Sequence, residues 1–333
     1  MMDWHPLRFK PIYKERVWGG HNLANIYGRT VPPGPPIGES WEITDRPEGI
    51  SVVSEGPLAG RTLAELMAQD ARGLLGQAVA RRGRFPLLVK ILDARQVLSL
   101  QVHPPASVAD RLGGETKTEM WYFTEATDPG EIFVGLRRDV TRADFERSIT
   151  QGSVADCFHR IRVQPGDAMF LPSGRVHALG AGLLLFEIQE NSDTTYRVCD
   201  WNRLGLDGKP RPLHVAESLA SIDFSDKEPS LVHAPWIQRG PLERRSLVED
   251  PAFCVEAWRS GSATSHSLNL TRCRVMGVVE GAITVRTESR GWPLKKGDFC
   301  LIPAALGRVE CETHGAAEWL SASPGGAPDP AMV

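Results

Sequence analysis

The stretch Gly166-Asp167-Ala168-Met169-Phe170-Leu171-Pro172-Ser173-Gly174-Arg175-Val176-His177 most constrains what this 333-residue chain can fold into. Gly-Asp and Pro-Ser-Gly are turn chemistry, because glycine tolerates positive φ and proline holds φ near its turn value. They bracket four residues, Ala168 to Leu171, which leaves room for one short strand. The second turn then delivers His177 to the start of the next strand. Much of the chain repeats this grammar: 32 glycines and 25 prolines punctuate short apolar runs, which predicts a mainly β, barrel-type fold. Helices are fewer. Thr62 to Arg81 carries Leu63, Leu66, Met67, Leu74, Leu75 and Val79 at helical spacing. Pro105 to Leu112, Thr141 to Ile149 and His214 to Ala220 are shorter candidates, with Asp139 or Thr141 to cap the second of these.

A histidine followed by Ala178 and Leu179 is ordinarily a satisfied core residue, and the reason to read His177 otherwise lies upstream. Val97-Leu98-Ser99-Leu100-Gln101-Val102-His103-Pro104 alternates with period two, so Ser99, Gln101 and His103 share one face. The preceding run, Phe85 to Leu92, is nearly all apolar and reads as a buried neighbouring strand. Polar side chains on a buried face need partners, and a metal supplies them. Lys117-Thr118-Glu119-Met120-Trp121-Tyr122-Phe123 then opens an aromatic-rich strand with a carboxylate. His103, Glu119 and His177 make a facial donor set suited to zinc, iron or manganese, with Gln101 as a neutral fourth ligand. Lys117, two residues before Glu119, shares its face if the strand has already begun, and there it can stabilise charge or shuttle a proton.

These pieces resemble known families. Gly166 to His177 is similar to the second motif of the cupin superfamily, G-x5-P-x-G-x2-H, although Ala181 stands where the motif has asparagine. More specifically, the chain resembles the type I mannose-6-phosphate isomerases (phosphomannose isomerases) of the short bacterial kind. The resemblance rests on Phe9-Lys10-Pro11, Arg16-Val17-Trp18-Gly19-Gly20, Gly38-Glu39-Ser40-Trp41-Glu42, Leu100 to Pro104, Lys117-Thr118-Glu119 and Gly174 to Ala178. Its most discriminating block is Gln189-Glu190-Asn191-Ser192-Asp193-Thr194-Thr195-Tyr196-Arg197-Val198, followed by Asp200-Trp201-Asn202-Arg203. The match fades after residue 232.

The resemblance implies a bicupin of two jelly-roll-like barrels, with a metal-binding catalytic domain over 1–232 and a metal-free cupin-like domain over 233–333. An internal echo agrees with two barrels. Gly297-Asp298-Phe299-Cys300-Leu301-Ile302-Pro303 repeats the frame of Gly166 to Pro172, but no histidine follows it. The implied reaction interconverts mannose 6-phosphate and fructose 6-phosphate through an enediol or enediolate, with one divalent metal, zinc first, as Lewis acid. The implied catalytic arginine is Arg197, whose guanidinium stays charged and can give two hydrogen bonds to one oxyanion. Ser99 and Arg203 are the phosphate candidates, and Trp18 and Glu42 sit in family-like blocks that wall the pocket. Leu179 replaces the aromatic residue of longer relatives, and a short Glu119–His177 segment implies a reduced helical insertion and a broader range of aldoses.

Composition excludes several classes. With 38 basic against 41 acidic residues the net charge is −3, so nothing calls for nucleic acid or an anionic membrane surface. The first ten residues lack a signal-peptide core, and the six scattered cysteines contain no C-x-x-C, which fits reduced thiols in the cytoplasm. Two readings from other classes stand beside the isomerase: a cupin metal oxygenase using iron at the same ligands, and a sugar-binding bicupin without turnover.

Overall fold

In a computed structural model that describes residues 2–288 and 290–325, the chain is mainly β with a few short helices. It divides into two compact units. One comprises Tyr13–Ser40 and Lys90–Val232; the other comprises Met1–Ile12, Trp41–Val89 and His233–Val333.

The unit containing His177 is built on two sheets. The first has six strands in the order Ile12–Gly20, Ile37–Ile43, Leu87–Ala94, Leu183–Glu190, Glu119–Ala126 and Ala168–Leu171. Two of them, Ile37–Ile43 and Leu87–Ala94, contain residues of both units. The second has five, in the order Tyr196–Cys199, Leu100–Val102, His177–Leu179, Glu131–Leu136 and Phe158–Arg162. Each sheet keeps two edge strands, so the expected barrel does not close through hydrogen bonds. The sheets instead share a core: Trp121, Phe123, Met169 and Leu185 of the first pack with Ile132, Val134 and Leu179 of the second. Apolar burial holds them together without a continuous ladder.

The other unit repeats this strand connectivity. Phe253–Ser260, Ala317–Pro324, Arg274–Glu280 and Phe299–Ile302 run side by side, and Thr264–Asn269, Arg308–Thr313, Ala282–Arg286 and Gly291–Lys295 form a second sheet. The echo at Gly297 to Pro303 thus covers a terminal strand of its sheet, as Gly166 to Pro172 does.

The helices follow their caps. Thr62 forms a capping box with Glu65, which starts the helix Leu63–Leu75. It stops six residues short of Arg81 because Gly76 takes φ 65°, and Val79 beyond it is 79% exposed. Thr141 and Asp144 make a second capping box for Arg142–Gln151, which ends at Gly152 in the left-handed region. Among the described residues, no helix is long and apolar enough to cross a membrane.

Candidate active site

Sheet register brings the proposed donors to one place. Gln101 pairs directly across from His177, His103 follows the end of the Leu100–Val102 strand, and Glu119 opens the strand Glu119–Ala126. One donor atom from each of His103, Glu119 and His177 lies within 4.8 Å of the others, and all three side chains are buried. His103 Nε2 is 3.4 Å from Glu119 Oε2, and His177 Nε2 is 3.3 Å from Glu119 Oε1. The Gln101 amide lies 3.3 Å from His177 Nε2. Tetrahedral donors around a zinc at roughly 2.1 Å stand about 3.4 Å apart. The spacing therefore fits a metal.

The hydrogen bonding supports the same fit. His103 Nδ1 donates to the Thr194 carbonyl at 2.7 Å, and His177 Nδ1 donates to the Arg175 carbonyl at 2.9 Å. A carbonyl can only accept, so each ring carries its proton on Nδ1 and turns the Nε2 lone pair to the cluster. Neither buried Glu119 oxygen has a partner in hydrogen-bond geometry, yet a cation has been drawn against them. Lys117 Nζ is 2.5 Å from Glu119 Oε2 and 3.1 Å from His103 Nε2.

Protonation is also suitable. Burial, reinforced by the Lys117 ammonium, lowers the His103 ring to about 4, and burial lowers His177 as well. Burial alone would raise Glu119, but Lys117 and the two imidazoles overturn it and hold the carboxyl well below its ordinary range. Neutral imidazoles beside an ionised carboxylate are the state that a metal requires.

Gln101 and Lys117 form one wall of a cavity of about 530 Å³, together with Trp18, Trp121, Ser99 and Arg197. Trp121 also packs edge-on against the His177 ring, 5.4 Å between centroids. Another wall is a buried charge network. Lys90 Nζ lies 3.0 Å from Glu187 and 3.9 Å from Glu39, while Arg16 pairs with Glu39 at 2.8 Å. Trp121 Nε1 donates to the second Glu187 oxygen at 2.9 Å. Burial would lower the Lys90 ammonium, but Glu187 and Glu39 raise it above its ordinary value, so Lys90 stays charged.

Comparison with known proteins identifies the architecture. The phosphomannose isomerase type I catalytic domain matches residues 7–145. The chain is 40% identical over 318 residues to mannose-6-phosphate isomerase ManA of Bacillus subtilis, covering 94% of this chain and 98% of ManA. The chain belongs to the type I phosphomannose isomerase family. It is also 35% identical over 303 residues to the mannose-6-phosphate isomerase of Streptococcus mutans, covering 90% of this chain and 93% of that protein. The crystal structure of the Bacillus subtilis mannose 6-phosphate isomerase matches its fold with a TM-score of 0.86 at 31% identity, covering 95% of this chain and 99% of that one. The protein is therefore an isomerase, with the mainly β cupin fold of that enzyme.

In this phosphomannose isomerase, Trp18, Ser99, Gln101, Lys117 and Arg197 line one cavity, and His103, Glu119 and His177 cluster among themselves. Arg203 and Glu42 are not among the lining residues. The Arg203 guanidinium is engaged elsewhere, at 2.7 Å from the Val97 carbonyl and 2.7 Å from Asp200 Oδ1. Glu42 is buried in the other unit. Lys90, Glu187, Glu39, Asp193 and Arg211, to which the sequence assigns no site role, also line the cavity. For two of them a signal existed: a lysine within Leu87–Ala94 and a glutamate within Leu183–Glu190 interrupt otherwise apolar strands. Such charges are found buried only with partners.

Proposed function

We propose that this isomerase interconverts mannose 6-phosphate and fructose 6-phosphate through an enediolate, using one divalent metal, zinc first, held by His103, Glu119 and His177. The carrying observation is the buried donor triad, spaced 3.3–3.4 Å between neighbouring atoms, in a chain 40% identical to ManA. A bound zinc supplies Lewis acidity for an oxygen that gains negative charge. Gln101 serves as fourth donor, since half a turn of its amide presents Oε1 where Nε2 now faces His177.

The chain's own side chains do the rest. Moving hydrogen between C1 and C2 of the sugar needs an acid–base group and a cation for the developing oxyanion. Arg197 suits the second task. It lines the cavity, its Nε is buried without a partner, and it stays charged although burial and the neighbouring Arg211 lower its pKa. Lys117 stands 2.5 Å from Glu119 Oε2 and faces the cavity, where it can stabilise charge or relay a proton. Ser99 and Trp18 wall the substrate; Ser99 Oγ lies 3.4 Å from the Gln101 amide and, once that amide is turned, accepts from its Nε2.

The unit that contains Trp258 and Trp319 is then a second, metal-free cupin-like barrel. Glu119 pairs with Leu171, and at the corresponding register Arg274 pairs with Ile302. His177 pairs with Gln101, and there Arg308 pairs with Asn269. Two cations at ligand positions repel a metal, and stacked Trp258, His266 and Trp319 fill its interior. All six cysteines are free, which supports a reducing cytoplasm as its place of work.

The test is a coupled assay for fructose 6-phosphate formed from mannose 6-phosphate, before and after chelation, with elemental analysis of the same preparation. Activity should disappear on chelation and return with zinc. Full activity in a preparation free of metal would overturn the reading.

A further inference from the structure

We propose that Arg211 grips the phosphate of the substrate, beside the Arg197 that faces the reacting oxygens, and that Asp200 aims it. This rests on the sugar-phosphate reading above and assigns a residue outside the sequence motifs. A phosphate dianion needs guanidinium or ammonium groups that keep an N–H donor uncommitted to a carboxylate. Most cations in the cavity wall are matched: Arg16 by Glu39 at 2.8 Å, Lys90 by Glu187 at 3.0 Å and Lys117 by Glu119 at 2.5 Å.

The Arg197–Arg211 end is different. Among the described residues, no carboxylate oxygen comes within ion-pair distance of Arg197, and its Nε is buried without a partner. Arg211 lines the same cavity and holds Asp200 with two of its three nitrogens, Nε at 2.6 Å and Nη2 at 2.5 Å. Among the described residues, its Nη1 has no hydrogen-bond partner. Asp200 also accepts from Arg203 at 2.7 Å, so one carboxylate faces two guanidiniums and leaves a positive excess. Asp193 and Asp207 line the cavity too, but neither forms an ion pair with Arg197 or Arg211. Two guanidiniums close enough to repel, one held by Asp200 and the other with no carboxylate in ion-pair distance among the described residues, make an end of the cavity that an anionic substrate stabilises.

Position agrees with this role. Arg197 pairs across the sheet with Gln101 of the donor cluster. Arg211 comes from the loop between the Tyr196–Cys199 strand and the Val215–Ser221 helix, which also supplies Gly205 and Leu206 to the wall. Arg203 lies on that loop as well, but its guanidinium braces Asp200 and the Val97 carbonyl and stays out of the cavity. Its part is to position Asp200, and through Asp200 the fork of Arg211.

The experiment is calorimetric titration of the metal-loaded enzyme with inorganic phosphate and with mannose 6-phosphate, alongside steady-state kinetics, for wild type, Arg211→Ala, Arg211→Lys and Asp200→Asn. Losing a charge-assisted contact of this kind should weaken both ligands roughly 10- to 100-fold in Arg211→Ala. KM should rise in step while kcat, metal content and melting temperature hold. Arg211→Lys should recover part of the loss and Asp200→Asn should show a smaller one, because the fork is then no longer oriented. Unchanged phosphate affinity in Arg211→Ala overturns the assignment. So does a fall in kcat, metal content and melting temperature together, the mark of a structural arginine. If wild type binds phosphate but interconverts neither sugar, the isomerase reading fails while Arg211 is still decided by the titration.

Discussion

Acidifying the metal-free enzyme should destabilise it through His103, in a window that its surroundings set. The ring is 1% exposed, and burial with the adjacent Lys117 ammonium brings it from 6.5 to about 4. In the unfolded chain the ring takes up its proton at the higher value, so the unfolded state gains the proton first as pH falls. The stabilising contribution is therefore complete above the unfolded value of 6.5 and lost progressively down to about 4. A difference of that size is worth ~3 kcal/mol, a large part of the ~5–15 kcal/mol that holds a typical domain. His177 is shifted in the same direction by its burial and adds to the slope in any variant that keeps it. The assay is urea unfolding of chelator-treated protein at several pH values from about 7.5 to about 4.5, comparing wild type with His103→Gln. Wild type should lose roughly 2–3 kcal/mol more than the variant across that range. Equal slopes for the two proteins would refute the reasoning. Metal-loaded enzyme should resist to lower pH, since a ligated ring cannot accept the proton.

Other outcomes follow from the same geometry. Arg197→Ala should lower kcat by roughly 2–4 kcal/mol of barrier with a small change in KM, as for loss of one oxyanion donor, and lysine should not fully rescue it. A wild-type kcat at saturating substrate would return Arg197 to a purely binding or structural role. His177→Ala should abolish metal binding and turnover while circular dichroism stays native, because the shared core of Phe123, Met169, Leu185, Ile132 and Val134 is apolar and holds the sheets without the ring; native metal content by elemental analysis would remove His177 from the donor set. Glu187→Ala removes the 3.0 Å partner of the buried Lys90 ammonium and leaves Glu39 at 3.9 Å, and urea unfolding should register a loss of about 3 kcal/mol. A loss below ~1 kcal/mol would mean that the network is solvated and replaceable.

Much was legible from local pattern alone. The strand face carrying Ser99 and Gln101 followed from period two, and both residues line the cavity. The cap was narrowed to Asp139 or Thr141 because capping is settled within four residues, and Thr141 is the one that caps. The mainly β character followed from turn residues spaced too closely for long helices. Local pattern also misjudged extents: the alternating run Val97 to Pro104 predicts more strand than Leu100–Val102, and Gly76 ends a helix whose apolar spacing continues to Val79. Propensity acts over a few residues and does not see where pairing stops.

Tertiary structure alone decided which polar residues meet. Thr194 and Arg175 orient the ligand imidazoles through backbone carbonyls, a function open to any residue type and so silent in sequence. Lys90 interrupts its strand visibly, but only sheet order brings Glu187 to within 3.0 Å of it. Arg203 and Arg211 are the same residue type on one loop, both held by Asp200, yet only Arg211 lines the cavity. The chain by itself thus determined the element types, the turn positions and the residue types able to bind a metal, because each depends on near neighbours. Partner choice, buried charge and the side of a wall on which a guanidinium ends depend on register between distant strands. Register is set by burying all the apolar faces at once, and no single stretch of sequence contains that information.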